Sequence, residues 1–125
     1  MDNAMTSTPI YQKYQDIQQA PRYMVVMEQA QHNVLTEILA HVPPQAPYEL
    51  ILADEVNSWT ELQYCVLQHV NQSKAGLHTI VFGSEAFIWS INSSLKKAGC
   101  LKAEMTYLLD PEKNTKFVYC VHCAQ

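Results

Sequence analysis

Residues 77–99 read LHTIVFGSEAFIWSINSSLKKAG, from Leu77 to Gly99. Leu77–Phe82 is a run of mainly apolar and β-branched residues, stopped by Gly83. That pattern predicts a buried strand ending in a tight turn. Ser84 then offers an N-cap hydroxyl, and Glu85 sets a negative charge at the positive end of a helix. Phe87, Ile88, Ile91, Leu95 and Ala98 recur at helical spacing and predict one apolar face. Lys96 and Lys97 fall in the last turn, where cations suit the dipole, and Gly99 suits a left-handed C′ position. The stretch is strand, turn and helix, with both helix ends marked. In open α/β sheets ligands sit beside such turns, at the carboxyl ends of strands. Gly83, Ser84 and Glu85 are therefore the candidate cofactor-binding residues. The same pattern also serves as an ordinary turn that binds nothing.

The neighbouring segments repeat the alternation. Upstream, Tyr23–Met27 (YMVVM) and Tyr48–Ala53 (YELILA) predict two strands. Between them, Val34, Leu35, Ile38, Leu39 and Val42 predict a helix over 29–42, ended by Pro43 and Pro44. Ser58 and Glu61 have capping-box spacing, and the helix they open runs through Leu62, Cys65, Val66 and Val70 to Lys74 and Gly76. Cys65 reads there as a small buried hydrophobe. His69 reads as a charge near the helix end. Downstream, Met105–Leu109 (MTYLL) predicts a fourth strand. Asp110-Pro111-Glu112-Lys113-Asn114 has turn chemistry, and Lys116–Val121 predicts an antiparallel edge strand folding back. Residues 1–20 are polar and glutamine-rich, an arm that Ile10, Tyr11 and Tyr14 would pin. The expected organisation is that arm followed by one α/β domain over 21–125, with a mostly parallel sheet and helices on both faces, a three-layer sandwich.

Composition excludes several classes. The chain has 125 residues, 48% hydrophobic and 16% charged, with a net charge of −4. It contains no basic run, which argues against nucleic-acid binding. No apolar stretch approaches bilayer length, and the N-terminus has no apolar signal region, so a cytoplasmic location away from membranes is expected. The four cysteines then read as thiols or metal ligands rather than disulfides.

Chemistry-bearing motifs are sparse. The first strand is followed by Glu28-Gln29-Ala30-Gln31, and no glycine precedes Gly76. A phosphate at that turn would meet side chains and a glutamate instead of open backbone amides. Cys120-Val121-His122-Cys123 supplies two candidate metal ligands, Cys120 and Cys123, half of a tetrahedral zinc site. A lone CxxC is weak evidence for a metal, and two ordinary terminal thiols are the plainer reading. Asp54 and Glu55 follow a strand end, as an acid–base pair or as solvated loop acids. The five histidines are scattered and there is no serine nucleophile elbow. No catalytic residue is assigned.

Two resemblances sit on these residues. TIVFGSEAFIWSINSSLKKAGCLKAEMTYLL looks like the end of a ferredoxin-reductase NAD-binding domain, with Val81-Phe82-Gly83-Ser84 in place of that family's Cys-Gly-Pro turn and Lys97-Ala98-Gly99 at the helix end. The family's cysteine and proline are absent. This analogy implies a sheet order of 2-1-3-4. The chain as a whole resembles the DmmA-like family, a subunit of dimethylamine monooxygenase, through Ser7-Thr8-Pro9-Ile10-Tyr11, the GSEA turn, the KKAG helix end and the closing VYCVHC. That family continues past the CxxC into a metal-binding region, so this chain looks shortened. The resemblance implies a non-catalytic or electron-transfer-supporting subunit of a multi-component NAD(P)H-dependent monooxygenase acting on small methylated amines. Its partners would be the other oxygenase subunits, or a second copy completing a shared zinc site. The alternatives are a reductase-like module binding NAD(P)H weakly at Gly83–Ser84, and a plain interaction domain.

Overall fold

The computed structural model describes residues 11–72, 76–100 and 104–110. The elements are β1 (Arg22–Met27), α1 (His32–Ala40), β2 (Tyr48–Leu52), α2 (Trp59–Gln72), β3 (Leu77–Gly83), α3 (Glu85–Lys97) and β4 (Met105–Leu109). Short 3₁₀ turns occupy Tyr14–Asp16 and Ala53–Glu55. The strands form one parallel sheet in the order β2-β1-β3-β4. β3 lies inside it, as a strand apolar on both faces requires, and every residue from His78 to Gly83 is buried.

Crossover handedness sets the layers. The chain steps one way from β1 to β2, then back over β1 to β3 and on to β4. Right-handed crossovers change face when the step reverses. Accordingly α1 covers one face with Val34 and Ile38, against Val25, Met27, Ile80 and Phe82. α2 and α3 cover the other with Leu62, Val66, Ile88, Ile91 and Leu95, against Met24, Val26, Val81 and Met105. The sandwich is the expected one.

The helix ends follow their chemistry. The Ser84 hydroxyl accepts from the Phe87 N–H at 3.2 Å. At the other end of α3 the Cys100 N–H reaches the Leu95 carbonyl at 3.1 Å and the Gly99 N–H reaches that of Lys96 at 3.0 Å. Gly99 has φ +92°, which completes a Schellman turn. In α2 the Ser58 hydroxyl accepts from the Glu61 N–H, while the Glu61 carboxylate reaches past Ser58 to the Asn57 N–H. α1 begins at His32, later than the apolar spacing suggests. Gln31 at its N-cap is extended and supplies no side-chain cap, so nothing anchors an earlier turn. Cys65 is only half-buried, at the margin of the core, because Leu62 and Val66 take the position facing the sheet.

Residues 11–20 lie against the sheet. Tyr11 bridges Tyr107 in parallel, and the Gln12 N–H donates to the Tyr107 carbonyl at 2.7 Å. Tyr14 stacks on His41, and Ile17 is buried in the α1-side core. The expected antiparallel strand over 116–121, and Ile10, lie outside the described residues. At Tyr107 the outer edge of β4 is met by the Tyr11 segment.

Two buried polar contacts give measurable consequences. The Tyr107 hydroxyl donates to Asn92 Oδ1 at 2.8 Å, and burial pushes its pKa well up. Tyr107→Phe removes that donor from a buried acceptor and is expected to cost about 1–2 kcal/mol in denaturant unfolding. His78 is buried, with Nε2 2.7 Å from Thr106 Oγ1 and the ring edge-on to Tyr23. Burial pushes the His78 pKa down, and Glu104 opposes this only in part. The unfolded chain therefore takes up the proton first. Stability is full above the ordinary histidine value of about 6.5 and falls as pH drops through it toward the lower folded value. His78→Gln, which can still reach Thr106, is expected to flatten the melting temperature between about pH 7 and about pH 5.

Candidate functional site

The strand order reverses between β1 and β3, so their carboxyl ends frame the crevice where open α/β sheets take ligands. Glu28 follows β1 there, and Gly83-Ser84 close β3. The Glu28 N–H continues the ladder to the Phe82 carbonyl at 3.0 Å. Its carboxylate turns into the crevice, where Oε1 accepts from the Ser84 N–H at 2.8 Å. That amide belongs to the first turn of α3, where an anion is favoured by the open N–H groups and the dipole. Gly83 is packed tightly from above. A Cβ on it would lie 2.7 Å from the Phe87 ring and 3.0 Å from both Cβ and Oε1 of Glu28. Trp59 rests edge-on against Phe87.

Glu85 faces outward on the far side of α3. The Tyr11 hydroxyl donates to its Oε2 at 3.1 Å, and the Trp89 indole also hydrogen-bonds that phenol. Burial pushes the Tyr11 pKa up, the Trp89 bond opposes this and Glu85 adds to it. On the α1 face a cleft of about 540 Å³ opens among Lys13, Tyr14, Gln31, Phe82, Leu108 and Asp110. Asp110 is buried there and accepts from Gln31 Nε2 at 2.9 Å, while its N–H donates to the Gly83 carbonyl. Burial pushes the Tyr14 hydroxyl up, with Glu37 and Asp110 adding to it.

The candidate residues thus separate. Gly83, Ser84 and Glu85 share one turn, but Glu85 faces Tyr11 and Trp89 while Gly83 and Ser84 face Glu28 and Phe87. Asp54 and Glu55 are exposed in their 3₁₀ turn. Cys120, His122 and Cys123 lie outside the described residues. Among the described residues no cluster of three or more histidine, cysteine or acidic side chains is arranged to hold a metal. Burial, with Glu104 beside it, pushes the Cys100 thiol up and keeps it protonated. Nor is any helix among the described residues long and apolar enough to cross a membrane.

Acidic side chains predominate at the carboxyl ends of the strands, with Lys13 among them, while the opposite end mixes cations with Glu49 and Glu104. Glu28, Asp54, Glu55, Glu61, Glu85 and Asp110 sit at the carboxyl ends of the strands or in the helix turns that start there. Arg22, His69, Lys96 and Lys97 sit toward the opposite end. The acid in place of a first glycine-rich turn marks Glu28 as an obstacle to phosphate, but nothing local shows that it caps α3. Asp110 reads as a turn residue, and nothing local marks its burial.

No protein-family model matches this chain, and no solved structure matches it. It is 29% identical over 118 residues to the heme-dependent oxidative N-demethylase delta subunit of Ectopseudomonas mendocina (strain ymp). The match covers 94% of this chain and 66% of the relative, so the chain spans about two thirds of that protein's length.

Proposed function

We propose that the chain is a supporting, non-catalytic subunit of a multi-component oxidative N-demethylating enzyme, an NAD(P)H-dependent monooxygenase acting on small methylated amines. Redox cofactors and substrate oxidation belong to partner subunits in this reading. The observation that carries it is the Glu28 carboxylate on the Ser84 N–H. A dinucleotide-binding α/β domain keeps that crevice open for a pyrophosphate. Here the chain's own carboxylate takes the helix-end amide, and Phe87 and Glu28 fill the space above Gly83. As arranged, the turn does not fit a pyrophosphate, and the surrounding carboxylates repel one. The similarity to the N-demethylase delta subunit supports the choice of system.

The competing reading seats a nicotinamide dinucleotide on Gly83, Ser84 and Glu85, and requires Glu28 to leave the crevice. Titration with NADPH and NADP⁺, followed by calorimetry, separates the two. No saturable binding in the micromolar range is expected for the native chain. Saturable micromolar binding makes the chain a dinucleotide module instead. Metal analysis of chelator-free protein addresses Cys120 and Cys123. One zinc per two chains supports a shared four-thiolate site in a homodimer.

A further inference from the structure

Both tryptophans of the chain, Trp59 and Trp89, stand at the acidic end of the α2–α3 face, 40% and 44% exposed. Tyr48 and Tyr64 are also exposed, but the two tryptophans share one end of the domain, and tryptophan is an enriched anchor at protein interfaces. Each is held in a set orientation. Trp59 lies edge-on to buried Phe87, and the Trp89 indole is tied to Tyr11, itself bonded to Glu85. Such anchors lose little side-chain freedom on binding. Trp59 opens α2 and Trp89 lies in the second turn of α3, at the same end of the strands as the carboxylates of Asp54, Glu55, Glu61 and Glu85. The cationic Lys96 and Lys97 lie at the other end of α3. Exposed aromatic anchors at an end where acids outnumber cations suit a surface that steers and orients an oppositely charged protein.

We infer that the Trp59–Trp89 rim is a protein-docking surface whose occupant presents a lysine- and arginine-rich patch. Under the proposed function, on which the choice of partner rests, the occupant is another subunit of the oxygenase.

The test uses the full chain. Tagged protein captures its partner at low salt from the organism that encodes it. The partner is identified, purified apart and titrated back while tryptophan emission is followed, since both tryptophans report from the rim alone. Saturable quenching or a shift is expected. The Kd should weaken about tenfold or more in Trp89→Ala. It should also weaken severalfold in Asp54→Asn/Glu55→Gln and with rising NaCl, while Lys96→Gln/Lys97→Gln binds as the native chain does. The exposed acid pair keeps the test intact if Trp89→Ala fails to fold. Failure to capture any partner overturns the inference. So does a complex that leaves emission and the rim variants unaffected, or a rim that pairs with a second copy of this chain in light scattering. A captured protein unrelated to an oxygenase, released by the rim variants, keeps the docking surface and overturns the proposed function. Oxygenase subunits captured without rim dependence do the reverse.

Discussion

Truncating Ile91 or Leu95 to alanine is expected to lower the unfolding free energy by about 2–5 kcal/mol. Both side chains are fully buried on the face of α3 that meets the sheet, among Val81, Met105 and Tyr107. Truncation loses their transfer free energy and leaves a cavity that strands fixed in a ladder cannot close. The cost belongs at the upper end where collapse is hardest. Leu95 has a second role, since its carbonyl receives the Cys100 N–H of the Schellman turn, a bond that alanine preserves. The loss at 95 should therefore be one of packing, with helix content unchanged. Lys96→Ala, one residue on and exposed, is expected to stay within about 0.5 kcal/mol of native. Urea unfolding of the three variants checks this. Equal losses at 91 and 96 would mean that the wrong helix face meets the sheet.

Those residues were legible in the sequence because burial, period and capping agree along 77–99. A strand apolar on both faces has to lie inside a parallel sheet, and a helix with a hydroxyl at one end and glycine at the other has little freedom in its bounds. The sheet order 2-1-3-4 came from analogy, and the handedness of crossovers then assigns the faces. The site was less legible because it depends on contacts distant in the chain. Glu28 and Ser84 stand 56 residues apart, and Gln31 and Asp110 stand 79 apart. No periodicity reports such pairs. Tyr11 looked like a tether, yet its hydroxyl joins Glu85 and Trp89, which only the return of the chain beside β4 brings together.

The crevice itself gives the second large effect. Gly83→Ala is expected to destabilise by about 1–3 kcal/mol, as overpacking does in a filled space. The φ of Gly83 is not in the left-handed region, so the cost is one of space, not of backbone strain. A Cβ placed 2.7 Å from the Phe87 ring and 3.0 Å from both Cβ and Oε1 of Glu28 must displace the ring and press on Glu28. Moving the ring gives up its edge contact with Trp59, and moving the carboxylate breaks its bond to the Ser84 N–H. Glu28→Ala breaks that same bond, leaving a buried amide without its acceptor, and should cost about 1–3 kcal/mol alone. The two losses overlap, so the double variant should be less destabilised than their sum by about 0.5 kcal/mol or more. Denaturant unfolding of the four proteins closes the cycle, and tryptophan emission reports whether Phe87 moved under Trp59. Strict additivity would mean that the Glu28 carboxylate does not press on the space above Gly83. A crevice left open in that way would favour the dinucleotide-binding reading over the supporting-subunit one.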